Sequence, residues 1–319
     1  MVSPLVSIII PVFNGGDFLR EAVESALAQT FPSVEILVVN DGSNDGGETR
    51  EVARRFGEQI RYLEKPNGGV ATALNAGIDA ARGQFISWLS HDDVYLPEKT
   101  ERQVEFFKTL ADDRSVIFSH ENLIDAQGNL IARGKSLSFP IGEFVFRLIR
   151  DRFLGGCSLL IPRKAFFECG GFNPALQTVQ DCEMWLRMAR GGYSFHYLPV
   201  CSNHSRIHSG QDSNRKRAIL FREKDRLFSW VIENFTPEEM WGPGKDDSAR
   251  YVELALVFAR SCLPHATRRA LRKSLIGLGG VRKEARRGQV GGAILVAELK
   301  RLVAGIRGWG KTLVNACDL

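Results

Sequence analysis

The sequence predicts an α/β fold built on a central, mainly parallel sheet, followed by a helical extension at the C-terminus. Three observations carry that expectation. Short continuous apolar runs end abruptly in turn residues, amphipathic helix patterns alternate with them over the first 90 residues, and after Gln211 the pattern is helical. At 319 residues with 44% hydrophobic content, the chain is long enough to bury a full core and is not a disordered polymer.

"VSIIIPVF" is a buried-strand run that enters a turn at Asn14-Gly15-Gly16. Asp17 is placed to cap the helix "FLREAVESALAQT", whose Leu19, Val23, Ala26 and Leu27 share a face and which Phe31-Pro32 stops. "VEILVVNDGSND" is a second buried strand ending in Asp41-Gly42-Ser43. "GGETREVARRFG" reads as a helix, "IRYLEK" as a strand, "VATALNAGIDAA" as a helix and "QFISWLS" as a strand. Such alternation gives right-handed βαβ units, whose ligands bind beyond the carboxyl ends of the strands. Asn14, Asp41, Asn67 and Asp92 each follow a strand, so all four are expected on one rim.

Between 114 and 214 the pattern is less regular. "SVIFSHENLID" and "YSFHYLPV" read as strands, and "RKAFFECGGF" and "QDCEMWLRMARGG" as helices with glycine stops, a region suited to a second substrate. Beyond it lie three helical stretches and a last one, "GGAILVAELKRLVAGIRGWGKTLV". The division expected is 1–214, with halves 1–113 and 114–214, followed by a basic helical extension over 215–319.

The net charge of +5 is unevenly distributed. From Arg260 onward there are 13 Lys and Arg against three acids, so the remainder of the chain is mildly acidic. A basic tail fits an anionic partner. On a helix, Leu295, Leu299, Leu302, Ile306, Trp309 and Leu313 fall on one face with Lys300, Arg301 and Arg307 away from it, suited either to an anionic bilayer or to packing on the body of the chain. Aromatic residues hardly interleave with these charges, which argues against nucleic acid. The six cysteines form no CxxC pair, as reduced thiols would, and no run reaches the ~18 apolar residues of a membrane span. A cytoplasmic protein is expected, peripheral on the inner membrane face if the tail binds lipid.

Several residues carry chemistry. Phe13 and Asn14, with Asp41, offer a stacking surface and an acceptor for a pyrimidine N–H or ribose hydroxyls, although Asp41-Gly42-Ser43 also reads as an ordinary turn. Asn67-Gly68-Gly69 opens the helix of Asn75, placing amides where a phosphate or ribose binds, or simply making a turn. Asp92 and Asp93 are hard carboxylates on one loop, suited to Mg²⁺ or Mn²⁺ opposite a diphosphate; the alternative is that Asp93 caps the helix near Pro97.

These blocks, "VSIIIPVFNGGDFLREAVESALAQTFPSVEILVVNDGSND", "NGGVATALNAGI", "LSHDD" and "QDCEMWLR", in that order, resemble the family 2 inverting glycosyltransferases of the GT-A fold over roughly residues 5 to 210. The resemblance implies a Rossmann-like nucleotide-binding half, an acceptor-binding half, a UDP- or dTDP-linked sugar donor, a divalent cation (Mn²⁺ or Mg²⁺), and a glycan or lipid-linked glycan acceptor. It places Pro11, Phe13 and Asp41 around the donor base and ribose, Asn67 and Asn75 in the same pocket, and Asp92 on the cation. Ser90 stands where the family more often has aspartate, which removes a charge but keeps a hydrogen-bonding group. His91 is read as a packing or supporting residue of the donor site. His208, with Arg206, matches a loop that folds over the diphosphate, giving His208 as a further metal ligand. Asp181 matches the base that deprotonates the acceptor, with Gln180 replacing the usual glutamate before it. Trp185, four residues on, shares a helix face with Asp181 and is read either as the floor of the acceptor site or as a core tryptophan, and Gly155-Gly156 are small residues where a sugar ring would approach the backbone. A non-catalytic nucleotide-sugar or glycan-binding protein is the alternative favoured by Ser90 and Gln180. A nucleotidyltransferase is disfavoured, because the turn after the first strand has no Lys or Arg.

Overall fold

The computed structural model describes residues 6–151, 154–211 and 215–285; the amphipathic stripe over 295–313 lies outside them. The strands are β1 Val6–Val12, β2 Val34–Asn40, β3 Arg61–Glu64, β4 Phe85–Trp88, β5 Val94–Tyr95, β6 Ser115–Ile124, β7 Leu130–Ala132, β8 Leu159–Pro162 and β9 Ser194–Arg206. They form one sheet in the order β3-β2-β1-β4-β8-β6-β9-β5, with β7 paired to β6. β3, β2, β1 and β4 run parallel, in the register Val12↔Asn40 and Ile9↔Trp88.

Every residue of β1 is buried, because the strand lies inside the sheet with helices packed against it. The helices of this part are α1 Leu19–Leu27, α2 Glu48–Arg54, α3 Val70–Ala80, α4 Lys99–Lys108, α5 Phe144–Asp151, α6 Lys164–Glu168 and α7 Gln180–Arg190. Gly77 lets α3 lie on β1: a Cβ there would stand 2.5 Å from Ile9 Cγ2. The capping role expected of Asp17 is not observed. Phe18 occupies the N-cap of α1 without a side-chain cap, and Asp17 Oδ1 accepts only the adjacent Phe18 amide at 3.0 Å.

The second half departs from the parallel pattern. β8 inserts antiparallel between β4 and β6, while β9 runs parallel to β6 and antiparallel to the two-residue β5. β9 is 13 residues long, well beyond the "YSFHYLPV" run, and reaches the loop between β4 and β5. The chain divides into two compact units, one formed by residues 1–148 and 152–215 and the other by 149–151 with 216 onward. The second unit contains α8 Arg217–Asn234, α9 Pro237–Trp241, α10 Asp247–Arg260 and α11 Pro264–Ala285. Thr236 and Glu239 form a capping box on α9, and Asp225 accepts the amides of His265 and Ala266 in the first turn of α11. Among the described residues no helix is long and apolar enough to cross a membrane.

Lys99, at the start of α4, is buried. Its ammonium donates to Ser87 Oγ at 2.7 Å, Gln103 Oε1 at 2.9 Å and the Leu159 carbonyl at 3.1 Å, and lies over the Tyr95 ring. Burial without a carboxylate partner lowers its pKa to about 7. Above that pH the native state holds one proton fewer than the unfolded chain, so stability rises with pH until the unfolded lysine titrates. The expected slope from this group approaches about 1.4 kcal/mol per pH unit between pH 7 and 10. Denaturant melts across that range should show the rise in wild type, and Lys99→Met should remove that contribution.

Candidate active site

The site is assembled where β1, β2 and β4 end and β9 arrives. After β4 the chain turns through Leu89, Ser90 and His91 to the tandem acids, and the two acids diverge. Asp93 is buried and accepts the Arg206 amide at 2.8 Å, so it anchors the loop to β9 rather than capping the helix after Pro97. Burial first, then the neighbouring Asp92 charge, pushes the Asp93 carboxyl up to about 8. At neutral pH the tandem therefore carries less than two full negative charges. Asp92 turns the other way: its Oδ2 lies 3.0 Å from His208 Nε2, and His208 in turn packs on the Phe18 ring, centroids 5.0 Å apart.

Arg206 does not face a diphosphate, contrary to the Arg-x-His expectation. It is fully buried, donating to the Asp92 carbonyl at 2.8 Å, the Ala126 carbonyl at 3.1 Å and Glu21 Oε2 at 2.5 Å, with its guanidinium over the Phe18 ring. This one side chain ties α1, the acidic loop, the β6–β7 turn and β9 together, and so positions His208 two residues on.

Ser90 is held by Cys157: its amide donates to the thiol sulfur at 3.2 Å, and the thiol lies 3.4 Å from Ser90 Oγ. His91 fills the space beside Gly15, where an added Cβ would stand 2.5 Å from His91 Cδ2. Pro11 is buried in β1, and Phe13, just past the carboxyl end of that strand, is 43% exposed. Asn14 adopts a positive φ of 52° and exchanges hydrogen bonds with Asn44, which fastens the turn after β1 to that after β2. Asp41 is nearly saturated within the protein: it accepts Lys65 Nζ at 2.5 Å, the Gly69 amide at 2.7 Å and the Gly68 amide at 3.1 Å. It thereby shapes the Asn67-Gly68-Gly69 turn, in which Asn67 is exposed. Lys65 is a residue the sequence reading missed; only its position one strand-end away from Asp41 points to it.

Two expectations need correction. Asn75 does not offer its amide to a pocket: Nδ2 donates to the Phe172 carbonyl and Oδ1 accepts the Phe172 amide, both at 2.8 Å. Trp185 is 0% exposed and packs edge-on against Phe172, so it is core and presents no face to an acceptor; its amphipathic spacing after Asp181 is the spacing of the buried stripe of α7. Phe172 also meets Trp88 edge-on, so Trp88, Phe172 and Trp185 link the end of β4 to the first turns of α7. Asp181 lies in that first turn, partly exposed, its Oδ1 accepting the Cys182 amide at 2.7 Å. Gly156 is required by the Trp88 ring, which a Cβ would overlap at 2.2 Å, and Gly155 faces the Glu121 carboxylate.

Among the described residues no group of three or more His, Cys, Asp or Glu is preassembled for a metal. Asp92 and His208 are the residues that could hold a divalent ion. The pair brings one carboxylate oxygen and one imidazole nitrogen together, a mixed donor set that suits Mn²⁺ better than Mg²⁺ and leaves coordination positions for phosphate oxygens.

Removing the Arg206 guanidinium leaves buried carbonyls without donors and frees the approach of β9. Arg206→Met is expected to cost about 3–5 kcal/mol in urea denaturation, and Arg206→Lys to recover only part of it because one ammonium cannot span the same acceptors.

Residues 7–166 match the family model described as glycosyl transferase family 2. A glycosyltransferase of Rickettsia felis is 45% identical over 241 residues, which cover 74% of this chain and 40% of that protein, so the match spans about two fifths of the relative's length. Among solved structures, the Pyrobaculum calidifontis mannosyltransferase PcManGT in complex with GDP-Man and Mn²⁺ aligns with a TM-score of 0.58 at 17% identity, covering 98% of this chain and 85% of that one. The S. aureus protein TarS 1-349 in complex with UDP-GlcNAc aligns at 0.53 and 16%, covering 90% and 93%. With the α/β sheet, the shared architecture and the family match in agreement, the chain belongs to glycosyl transferase family 2.

Proposed function

We propose that the protein transfers a sugar, with inversion at the anomeric carbon, from a UDP- or dTDP-linked donor to a hydroxyl of a glycan or lipid-linked glycan. The observation that carries this reading is the meeting of Asp92 and His208 at the carboxyl end of the parallel strands, where a diphosphate would be received. Phe13, exposed beside the Asn14–Asn44 turn, supplies the face for the base, and the Asp41-ordered turn at Gly68-Gly69 supplies backbone for the ribose. Asp92 and His208 would hold Mn²⁺ or Mg²⁺, and the bound ion would neutralise charge on the departing diphosphate. The structural neighbours solved with GDP-Man and Mn²⁺ and with UDP-GlcNAc support a nucleotide-sugar donor and a divalent cation.

Asp181 is the base in this reading. It takes the proton of the acceptor hydroxyl as that oxygen bonds to the anomeric carbon, while the bond from that carbon to the diphosphate oxygen breaks and the nucleoside diphosphate leaves. Its mount on α7 is rigid: Arg187, which pairs with Glu183, donates to the Gly171 carbonyl at 2.7 Å, and Asn75 clamps Phe172 on the other side. A carboxylate fixed this way stays aligned without spending binding energy on ordering. A basic C-terminal segment would suit an acceptor carried on an anionic membrane.

Asp181→Asn is expected to lower transfer by about 10²–10⁴-fold while UDP affinity changes less than twofold, measured by coupled nucleotide release and by calorimetry. Unchanged turnover would remove Asp181 from the mechanism and favour a non-catalytic binding role. EDTA is expected to weaken UDP binding in wild type, and His208→Ala to weaken it in Mn²⁺ by roughly tenfold or more.

A further inference from the structure

Glu121 is a partly buried carboxylate that the reading above leaves unused. It sits on β6 where the pairing with β9 shifts register, between His120 and Glu121, an irregularity that re-aims the side chain. Its Oε2 accepts Asn203 Nδ2 at 3.2 Å, and Oε1 has no hydrogen-bond partner among the described residues. Burial holds the carboxyl above its usual range. The carboxylate packs directly on the main chain of Gly155, where an added Cβ would lie 3.0 Å from Oε2 and 3.1 Å from Oε1. Asp41 and Asp93 contrast with it, since each is met by backbone amides within the protein.

The loop over Glu121 is anchored to the donor end of the site. One residue after Gly155, Gly156 rests on Trp88, and the next, Cys157, holds Ser90, two residues before Asp92. Trp88 Nε1 under that loop is also buried without a partner among the described residues. Two polar groups without hydrogen-bond partners among the described residues therefore lie along one glycine loop, next to the residues assigned to the diphosphate. A pyranose presents several hydroxyl donors, and a fixed carboxylate is the acceptor that matches them.

We propose that Glu121 is a specificity-determining residue that accepts hydrogen bonds from hydroxyls of the sugar being transferred. The inference rests on the donor reading given under Proposed function. Asn203 acts as the positioning partner, holding one carboxylate oxygen so that the other is presented. The register shift in β6 and the close fit of Glu121 on Gly155 are then the local structure that fixes the carboxylate.

The test is steady-state donor hydrolysis by the full chain with Mn²⁺, using UDP-glucose, UDP-galactose, UDP-GlcNAc, dTDP-glucose and GDP-mannose, with free UDP, dTDP and GDP as competitive inhibitors. For the preferred donor, Glu121→Ala is expected to raise KM at least tenfold and to shrink the preference over the other sugars. The inhibition constant of the free nucleotide should stay within twofold. Glu121→Gln keeps the shape and should fall between the two, which guards against reading a folding defect as a binding one, with thermal melts run on both variants. An unchanged KM and sugar preference would overturn the proposal. So would a parallel loss of nucleotide and nucleotide-sugar affinity at unchanged melting temperature, which would mean a purely structural role, or an effect confined to the acceptor KM. If wild type hydrolyses none of the donors and binds none of the nucleotides, the donor reading itself fails, and that result is distinct from any effect of Glu121.

Discussion

The buried guanidinium of Arg206 sets the geometry on which the site depends. It spans the Asp92 carbonyl, the Asp125–Ala126 turn, Glu21 and the ring of Phe18, so α1, the acidic loop and the end of β9 cannot shift independently. A guanidinium suits this task because five fixed donors satisfy several acceptors at once, where a lysine would satisfy fewer. Its own backbone amide completes the tie by donating to Asp93. The two acids after β4 are thereby given different work: Asp93 is an internal anchor with a raised pKa, and Asp92 is left to meet His208.

That division of labour bears on the substitution at Ser90. An aspartate there would add a negative charge beside Asp92 and close to the buried Asp93. In this chain the position carries a neutral hydroxyl coupled to the Cys157 thiol, whose pKa is itself raised by burial and then by the Asp93 charge. Negative charge on this side of the loop is consequently concentrated on Asp92 and met by an imidazole, a softer pairing than two carboxylates. Under the proposed function, that pairing suits Mn²⁺ better than Mg²⁺.

The first half of the fold was readable because its signals are local. Apolar runs such as Ile8 to Val12 and Ile36 to Val39 have to be buried, and the turn residues that stop them place Asn14 and Asp41 on one rim. The tertiary relations were not local and could not be read that way. Nothing in "NAGI" distinguishes an amide that lines a pocket from one that clamps Phe172, 97 residues away, as Asn75 does. Trp185 shows the limit of spacing arguments, since the helix face it shares with Asp181 turns into the core within one turn. β9 was longer than its apolar run because its polar C-terminal residues, Asn203, His204 and Arg206, are paired with β6 and β5 rather than solvated. Glu121 and Lys65 escaped notice for the same reason: each acquires its meaning from a partner far along the chain.

The most direct test of the central claim, that Asp92 and His208 together receive the cation and diphosphate, is a crystal structure of the protein with UDP and Mn²⁺, using anomalous scattering at the manganese edge. The account predicts one anomalous peak within about 2.0–2.4 Å of Asp92 Oδ and His208 Nε2, bridged to both phosphates, with the uracil beside Phe13. A peak elsewhere, or UDP bound with neither residue near its diphosphate, would contradict it.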